Sequence, residues 1–249
     1  MDDSKINTMK ICVLVSYDNN YKEMAKYTVD GNIKKYCELH GYHLWEDKQE
    51  EIYNGKSPQW QKIRVAKEVL KTNQFDWIFF MDTDCLIMNP DIKLESFVEN
   101  ESCSFIVPRH SMKAVDTPIE LEGILSIHNI ISSQFFVKND EYGLAILEDL
   151  WLAKGNDKIN KFDYEGRQIR MLINSKKYED HIKIIDERSL NRFWYVNNPF
   201  MVFNIKGIND NVWQKGDFIV HVTAYSKEER IKILSDLNYF SGLNNDNEV

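Results

Sequence analysis

The chain has 249 residues, of which 43% are apolar and 28% are charged, a composition typical of an ordinary globular domain and long enough for one large hydrophobic core. The formal net charge of −8 argues against a broad nucleic-acid-binding face. No run reaches the roughly 18 apolar residues of a membrane helix, and no signal peptide is visible, so we expect a soluble, cytoplasmic protein that binds no nucleic acid and has no membrane span.

The first half of the chain alternates between strand-like and helix-like patterns. Its apolar runs are short and rich in β-branched and aromatic residues, and its amphipathic stretches keep helical spacing. We predict strands at 10–17, 42–45 and 77–81, a helix at 21–40 that Asp30-Gly31 interrupts and Gly41 ends, and a second helix that starts at Ser57-Pro58. This strand–helix–strand–helix–strand order predicts a parallel, doubly wound α/β sheet.

The second half is less regular. No period appears over residues 109–128, and a connection of that length is often a functional loop. The expected strands are 104–108, 134–138, 182–185 and 217–222, and the expected helices are 94–98, 142–152, 166–173 and 226–237, the last capped by Ser226. We therefore predict one domain over residues 1–241, with a mainly parallel central sheet flanked by helices, and a frayed tail at 242–249.

The four cysteines form no C-x-x-C pair. Three of them fall in or beside apolar runs, as expected of reduced core residues in a reducing compartment. They are Cys12, Cys37, Cys85 and Cys103.

The segment 75–90, FDWIFFMDTDCLIMNP, places two carboxylates at the end of a strand buried on both faces. Asp82 and Asp84 are costly there unless a cation accompanies them. In open α/β sheets, ligands bind at that end of the strands, and Mg²⁺ typically uses one or two carboxylates together with substrate phosphates. The pattern indicates a metal–phosphate site, although Asp and Thr83 are also ordinary turn residues.

His221 and Lys227 extend this prediction. His221 ends a predicted strand, and two carboxylates with one imidazole suit a divalent ion such as Mn²⁺; otherwise it is a core histidine. Lys227 starts a helix, where it can reach phosphate oxygens; otherwise it is a surface lysine. The chain has no glycine-rich phosphate loop, so phosphate binding would depend on the metal.

The same segment resembles the metal-binding segment of glycosyltransferase family 34, which includes galactosyl-, mannosyl- and xylosyltransferases. In family members this segment consists of an apolar strand, then Asp-x-Asp, then an aliphatic residue followed by Met-Asn-Pro. Matching residues follow in family order along nearly the whole chain: Tyr36 with His40-Gly41-Tyr42, Trp60 with Lys62, Asp82, Asp84, Met88-Asn89-Pro90, Phe136 with Lys138-Asn139, and Gly216-Asp217-Phe218 with His221.

The resemblance implies a GT-A (Rossmann-like) fold and a metal-dependent glycosyltransferase that moves a sugar from a nucleotide-sugar, most readily a UDP-sugar, to a glycan-type acceptor. The cofactor would be Mn²⁺, with Mg²⁺ as the alternative, and a retaining outcome is preferred. The metal-facing residues would be Asp82, Asp84 and His221. The donor-binding residues would be Tyr17 at the end of the first strand, Lys62, Asp82, Thr83, Asp84 and Lys227.

Several positions depart from the family pattern. Ile131-Ser132-Ser133 stands where the family has Asn-Thr-Gly or Asn-Ala-Gly, Ala224 replaces a glycine, and Glu165-Gly166 replaces an acidic residue followed by glutamine. That glutamine is thought to lie near the anomeric carbon, so sugar, acceptor and stereochemistry stay open. Glu165 or Asp163 is a candidate general base for inversion, and a carboxylate nucleophile is a third route. Family members normally carry a Golgi anchor, and we expect none in this chain; a soluble catalytic domain without that anchor is the alternative to a cytoplasmic protein.

Two other functions remain open. A haloacid-dehalogenase-like phosphatase also places Asp-x-Asp after an apolar strand, but Leu86 and His221 do not fit its pattern. A catalytically degenerate sugar-binding protein would explain the altered positions near the sugar. Hydrolysis of a nucleotide-sugar in the presence of metal separates an enzyme from such a protein.

Overall fold

A computed structural model of the chain describes residues 9–49, 56, 58–109, 130–153, 165–194, 212–223 and 225–243. Most of the predicted functional loop at 109–128 lies outside these ranges, as do Asp163, Ala224 and most of the predicted tail.

The core is a six-stranded mixed sheet. In the order β2-β1-β3-β6-β5-β7, its strands are β2 His43–Gln49, β1 Ile11–Asp18, β3 Trp77–Met81, β6 Gln134–Lys138, β5 Phe105–Arg109 and β7 Ile182–Asp186. β1 pairs in parallel with β2 and β3, and β5 pairs in parallel with β7. β6 runs antiparallel to both β3 and β5. The predicted α/β class is therefore confirmed, with the refinement that one central strand is reversed.

Helices pack on both faces of this sheet. They are α1, built from the segments Lys22–Ala25, Lys26–Ile33 and Lys34–His40, then α2 Gln61–Lys71, α3 Glu95–Val98, α4 Glu141–Leu152, α5 Glu165–Asn174, α6 Glu187–Leu190 and α7 Lys227–Tyr239. Successive β3 side chains point to opposite faces. Trp77 and Phe79 join one apolar cluster, and Ile78 and Phe80 join the other. The unbroken apolar run before the two aspartates thus arises from burial on both faces.

A second, three-stranded sheet lies beside the first. Its order is β4-β9-β8, with β4 Cys85–Ile87, β9 Ile219–His221 and β8 Arg192–Phe193. β4 begins directly after the Asp-Thr-Asp turn, and its antiparallel pairing places Cys85 opposite His221. This small sheet therefore brings residues separated by more than 130 positions in the sequence to the end of β3.

The first long helix is continuous where the sequence predicts an interruption. Lys26–Ile33 forms π-helical turns, so Asp30-Gly31 lies within a wider part of the helix and does not interrupt it. π-helical turns often occur at functional sites. The helix ends as predicted at Gly41, whose φ is 74°, a value that glycine adopts without strain.

The wider turns point Asn32 at the backbone of β4. The fully buried Asn32 side chain accepts a hydrogen bond from the Ile87 amide at 2.8 Å and donates from Nδ2 to the Ile87 carbonyl at 2.9 Å. Asn32 thus occupies the place of a neighbouring strand along β4. The strand that follows the two aspartates is held in place by this amide.

Replacing Asn32 with Ala should destabilise the protein by about 2–4 kcal/mol, because it leaves a buried amide and a buried carbonyl without partners. Urea unfolding followed by circular dichroism measures the change. Asp30→Asn, on the exposed side of the same helix, should shift the free energy of unfolding by about 0.5 kcal/mol or less. Equal stability of Asn32→Ala and wild type would show that this contact does not hold β4.

All four cysteines are buried and free. None of the described helices is long and apolar enough to cross a membrane.

Candidate active site

The Asp82-Thr83-Asp84 turn is fixed by backbone hydrogen bonds on both sides. The Asp82 amide donates to the Ser133 carbonyl at 2.8 Å, and the Val222 amide donates to the Asp84 carbonyl at 2.9 Å. The first bond joins the turn to the segment that leads into β6, and the second joins it to the end of β9. The two carboxylates are therefore held at the junction of the two sheets.

Asp84 uses its two carboxylate oxygens for two different partners. Oδ1 lies 3.3 Å from Nε2 of His221, and Oδ2 accepts a hydrogen bond from the Arg230 guanidinium at 3.1 Å. Burial raises the pKa of Asp84, but His221, Arg230 and Lys62 outweigh it and bring the pKa down to about 2. Asp84 is therefore ionised at neutral pH and available to a cation.

Asp82 is paired with a buried lysine. Lys62 Nζ lies 2.9 Å from Oδ1 and 3.0 Å from Oδ2 of Asp82, and 3.0 Å from Oε1 of Glu165. Burial raises the pKa of Asp82 to about 6, with Lys62 opposing the rise and Asp84 adding to it. Burial would lower the pKa of Lys62, but the two carboxylates outweigh it and hold the pKa above its usual value.

Lys62 also joins these carboxylates to the next segment of the chain. It donates to the Ser132 carbonyl at 3.2 Å, while the Ser132 hydroxyl donates to Glu165 Oε1 at 3.1 Å. Glu165 is only 7% exposed. Its carboxylate is therefore fixed at the start of α5 by a lysine and a hydroxyl.

The donor set around Asp84 fits a divalent ion. Ligand atoms of Asp84, Cys85 and His221 lie within 4.8 Å of one another. Burial holds the pKa of the Cys85 thiol well above its usual value, and Cys85 Sγ already accepts a hydrogen bond from Gln134 Nε2 at 2.8 Å. A carboxylate oxygen with an imidazole nitrogen is a donor pair that Mn²⁺ accepts.

Buried polar residues behind His221 fix its ring. Ser133 Oγ lies 3.4 Å from Nδ1 of His221 and 3.3 Å from Oδ1 of Asn191. Metal-bound histidines usually place the second ring nitrogen against such a partner, which orients the ring. With a divalent ion bound, a proton on Nδ1 directed at Ser133 would leave the Nε2 lone pair free for that ion.

The other predicted site residues are placed as follows. Thr83 is buried within the turn. Tyr17 lies near the end of β1, where its hydroxyl donates to Glu46 Oε2 at 2.9 Å. Lys227 is the first residue of α7, which Ser226 caps as predicted, and Glu229 completes a reciprocal capping box.

Two residues of the site were not predicted from the sequence. Arg230 contacts Asp84 from 146 positions away, and Asn191 supports Ser133 from the segment between α6 and β8. The spacing of Arg230, three residues after Lys227, was the available signal, since such residues share one face of a helix. No local signal indicated Asn191.

Comparison with known proteins identifies relatives of the chain. Residues 7–232 match the model of the galactosyl transferase GMA12/MNN10 family. An alpha-1,2-galactosyltransferase of Schizosaccharomyces pombe is 23% identical over 214 residues, which are 76% of this chain and 53% of that protein. An uncharacterised alpha-1,2-galactosyltransferase of the same yeast is 26% identical over 188 residues, 67% of this chain and 50% of that protein. The chain thus spans about half the length of these curated relatives.

Solved structures show the same fold. A glycosyltransferase involved in the glycosylation of the major capsid of PBCV-1 superposes with a TM-score of 0.65 at 17% identity, covering 91% of this chain and 99% of that chain. GlyE of Streptococcus pneumoniae TIGR4 gives 0.58 at 11% identity, covering 94% and 62%. The galactosyltransferase LgtC, solved with donor and acceptor sugar analogues, gives 0.51 at 10% identity, covering 91% and 95%. These likenesses confirm the predicted GT-A fold, and the phosphatase alternative is not favoured.

Proposed function

The chain belongs to the galactosyl transferase GMA12/MNN10 family, and on that premise we propose that it transfers a sugar from a nucleotide-sugar, most readily a UDP-sugar, to a glycan-type acceptor. The observation that supports this proposal most strongly is the pair of Asp84 and His221, 3.3 Å apart at the end of the central strand. That is where open α/β sheets bind ligands.

Asp82, Asp84 and His221 would hold the metal, with Mn²⁺ preferred and Mg²⁺ as the alternative. A bound divalent ion would neutralise the leaving diphosphate without any proton transfer. Within the chain, Asp84 offers an ionised carboxylate and Ser133 orients the imidazole. Asp82 lies in the same turn and would share its carboxylate between Lys62 and the metal.

The donor would be held by residues around this turn. Lys227, at the first position of α7, would bind phosphate oxygens, helped by the N-terminus of the helix. Lys62 and Thr83 would contact the sugar-phosphate part of the donor. Tyr17, whose ring lies near the end of β1, would contact the base.

Glu165 is better placed to orient the sugar than to remove a proton from an acceptor. Its Oε1 already accepts from Lys62 and Ser132, and its side chain is almost fully buried. A general base must reach the proton that it abstracts. We therefore prefer a retaining outcome, and we keep Glu165 and Asp163 as the carboxylates to test for a base or nucleophile.

The proposal is tested by thermal unfolding with Mn²⁺ and a panel of UDP- and GDP-sugars, because a ligand that binds only the folded state raises its stability. We expect stabilisation by one UDP-sugar that requires the metal and disappears with EDTA. That sugar should also be hydrolysed slowly without an acceptor. No response to any donor would refute a nucleotide-sugar site, and binding without hydrolysis or transfer would indicate a sugar-binding protein.

A further inference from the structure

Arg230 lies in the site although neither the metal set nor the donor set described above includes it. Its side chain runs from α7 to Asp84, with its guanidinium 5.6 Å from the centre of the Tyr21 ring. The Arg230 side chain is 17% exposed and the Asp84 side chain 15%. The ion pair is therefore partly shielded from water, but one side of it is still open to solvent.

Arg230 does not compete with His221 for the same oxygen. The guanidinium takes Oδ2 of Asp84, while the imidazole faces Oδ1. One carboxylate thus has a fixed cation on one oxygen and the candidate metal position on the other. An ion at Oδ1 can bind without displacing Arg230.

The guanidinium has more donors than its described partners use. It carries five N–H groups, and its described hydrogen-bond partners are two, the Asp84 carboxylate and the Tyr21 hydroxyl. Its planar arrangement of donors matches the oxygens of a phosphate. Lys227 precedes it by three residues, so the two cations lie on the same face of α7.

The charge of the site also favours an anion. Three carboxylates, those of Asp82, Asp84 and Glu165, face two fixed cations, Lys62 and Arg230. A divalent ion makes this group of charges net positive, and a diphosphate would then be attracted to it. Without Arg230 the same ion would only balance the carboxylates.

A purely structural ion pair is the competing explanation. Buried ion pairs contribute little net stability compared with apolar residues of similar size, so stability alone is a weak reason for a charged pair here. We propose that Arg230 is a diphosphate-binding residue, which Asp84 holds in position beside the metal until the donor arrives. This inference rests on the proposed function. It means that the leaving diphosphate would be bound by Arg230 as well as by the metal.

The experiment compares wild type, Arg230→Met, Arg230→Lys and the control Lys232→Gln, whose side chain is exposed on the same helix. Isothermal titration measures the affinity for UDP and for uridine at saturating Mn²⁺, and electron paramagnetic resonance measures Mn²⁺ affinity without nucleotide. Arg230→Met should weaken UDP binding at least about tenfold, as expected for lost charge-assisted hydrogen bonds. Uridine and Mn²⁺ affinities should not weaken, and Arg230→Lys should recover part of the loss.

The outcomes separate this inference from the proposed function. Wild type that binds no UDP in the presence of Mn²⁺ refutes the proposed function, and this inference with it. Wild-type binding together with equal UDP affinity in Arg230→Met overturns this inference alone. Arg230 has a structural role if Arg230→Met loses affinity for UDP, uridine and Mn²⁺ in parallel, or if the variant does not unfold cooperatively. That role is excluded if Arg230→Lys keeps the stability of the wild type but binds UDP weakly.

Discussion

Asp84→Asn should lower the affinity for UDP in the presence of Mn²⁺ by at least about a hundredfold, beyond the 10–100-fold that loss of a supporting residue around a metal typically costs. Asp84 is the one residue that contacts both His221 and Arg230 among the described contacts. The substitution removes the negative charge from the oxygen that faces the candidate metal position. It keeps the shape of the side chain, and Arg230 can still donate to the new amide oxygen.

The fold should survive this substitution, with a loss of about 1–3 kcal/mol from the weakened bond to the guanidinium. Calorimetric titration with UDP and Mn²⁺ measures the affinity, and circular dichroism checks the fold. Asp91→Asn, an exposed carboxylate shortly after the same turn, is the matched control and should bind as wild type does. Wild-type affinity in Asp84→Asn would remove Asp84 from the site.

Lys62→Met should destabilise the protein by about 3 kcal/mol at pH 8, because it leaves two carboxylates without their shared cation. Lys62 and Glu165 have side chains only 5% and 9% exposed, whereas Asp82 retains 30% exposure. Water therefore screens part of the cost at Asp82, and we place the loss at the lower end of the range for broken buried pairs. Urea unfolding in EDTA measures it without metal binding.

The destabilisation of Lys62→Met should become smaller as the pH falls from 8 to 5. Burial already raises the pKa of Asp82 to about 6 with Lys62 present, and removal of that cation raises it further. A folded-state pKa above the unfolded value means that the folded protein binds the proton more tightly, so acid restores stability. Lys71→Met, on the exposed end of the same helix, should show neither effect. A pH-independent loss would indicate a packing defect in place of lost charge pairing.

The central strand and its two aspartates could be predicted from the sequence because the signal is local. An unbroken apolar run over 77–81 followed at once by charged residues has few interpretations. The direction of β6 could not be predicted in this way. It depends on how the chain returns to the sheet after β5, and a single strand pattern contains no information about that path.

The second sheet was not predicted, although one of its strands lies within the predicted strand at 217–222, because the other two strands are very short. β8 has two residues and β4 has three, too few for any period to appear. Their pairing comes from contacts distant in sequence, such as that of Cys85 with His221. The outer edge of β4 is also hydrogen-bonded by the side chain of Asn32. This contact could not be predicted because Asn32 lies in the π-helical segment of α1, which the sequence did not indicate.

The residues of the candidate site also differ in whether a local sequence signal indicated them. Asp84 and His221 stood out because polar residues at the ends of apolar runs are conspicuous, and the resemblance to a family connected them. Arg230 and Asn191 did not stand out, because an arginine in a helix and an asparagine in a loop are ordinary until the fold brings them to Asp84 and Ser133. Sequence reasoning singled out the residues proposed for the metal but not the residues that contact them.

The most direct test of a metal-dependent donor site is anomalous diffraction at the manganese edge from crystals grown with Mn²⁺ and UDP. We predict one strong peak within coordinating distance of Asp84 Oδ1 and His221 Nε2, with the diphosphate density adjoining it. UDP bound with no manganese peak at Asp84, or a peak at a site that excludes both residues, would contradict the account.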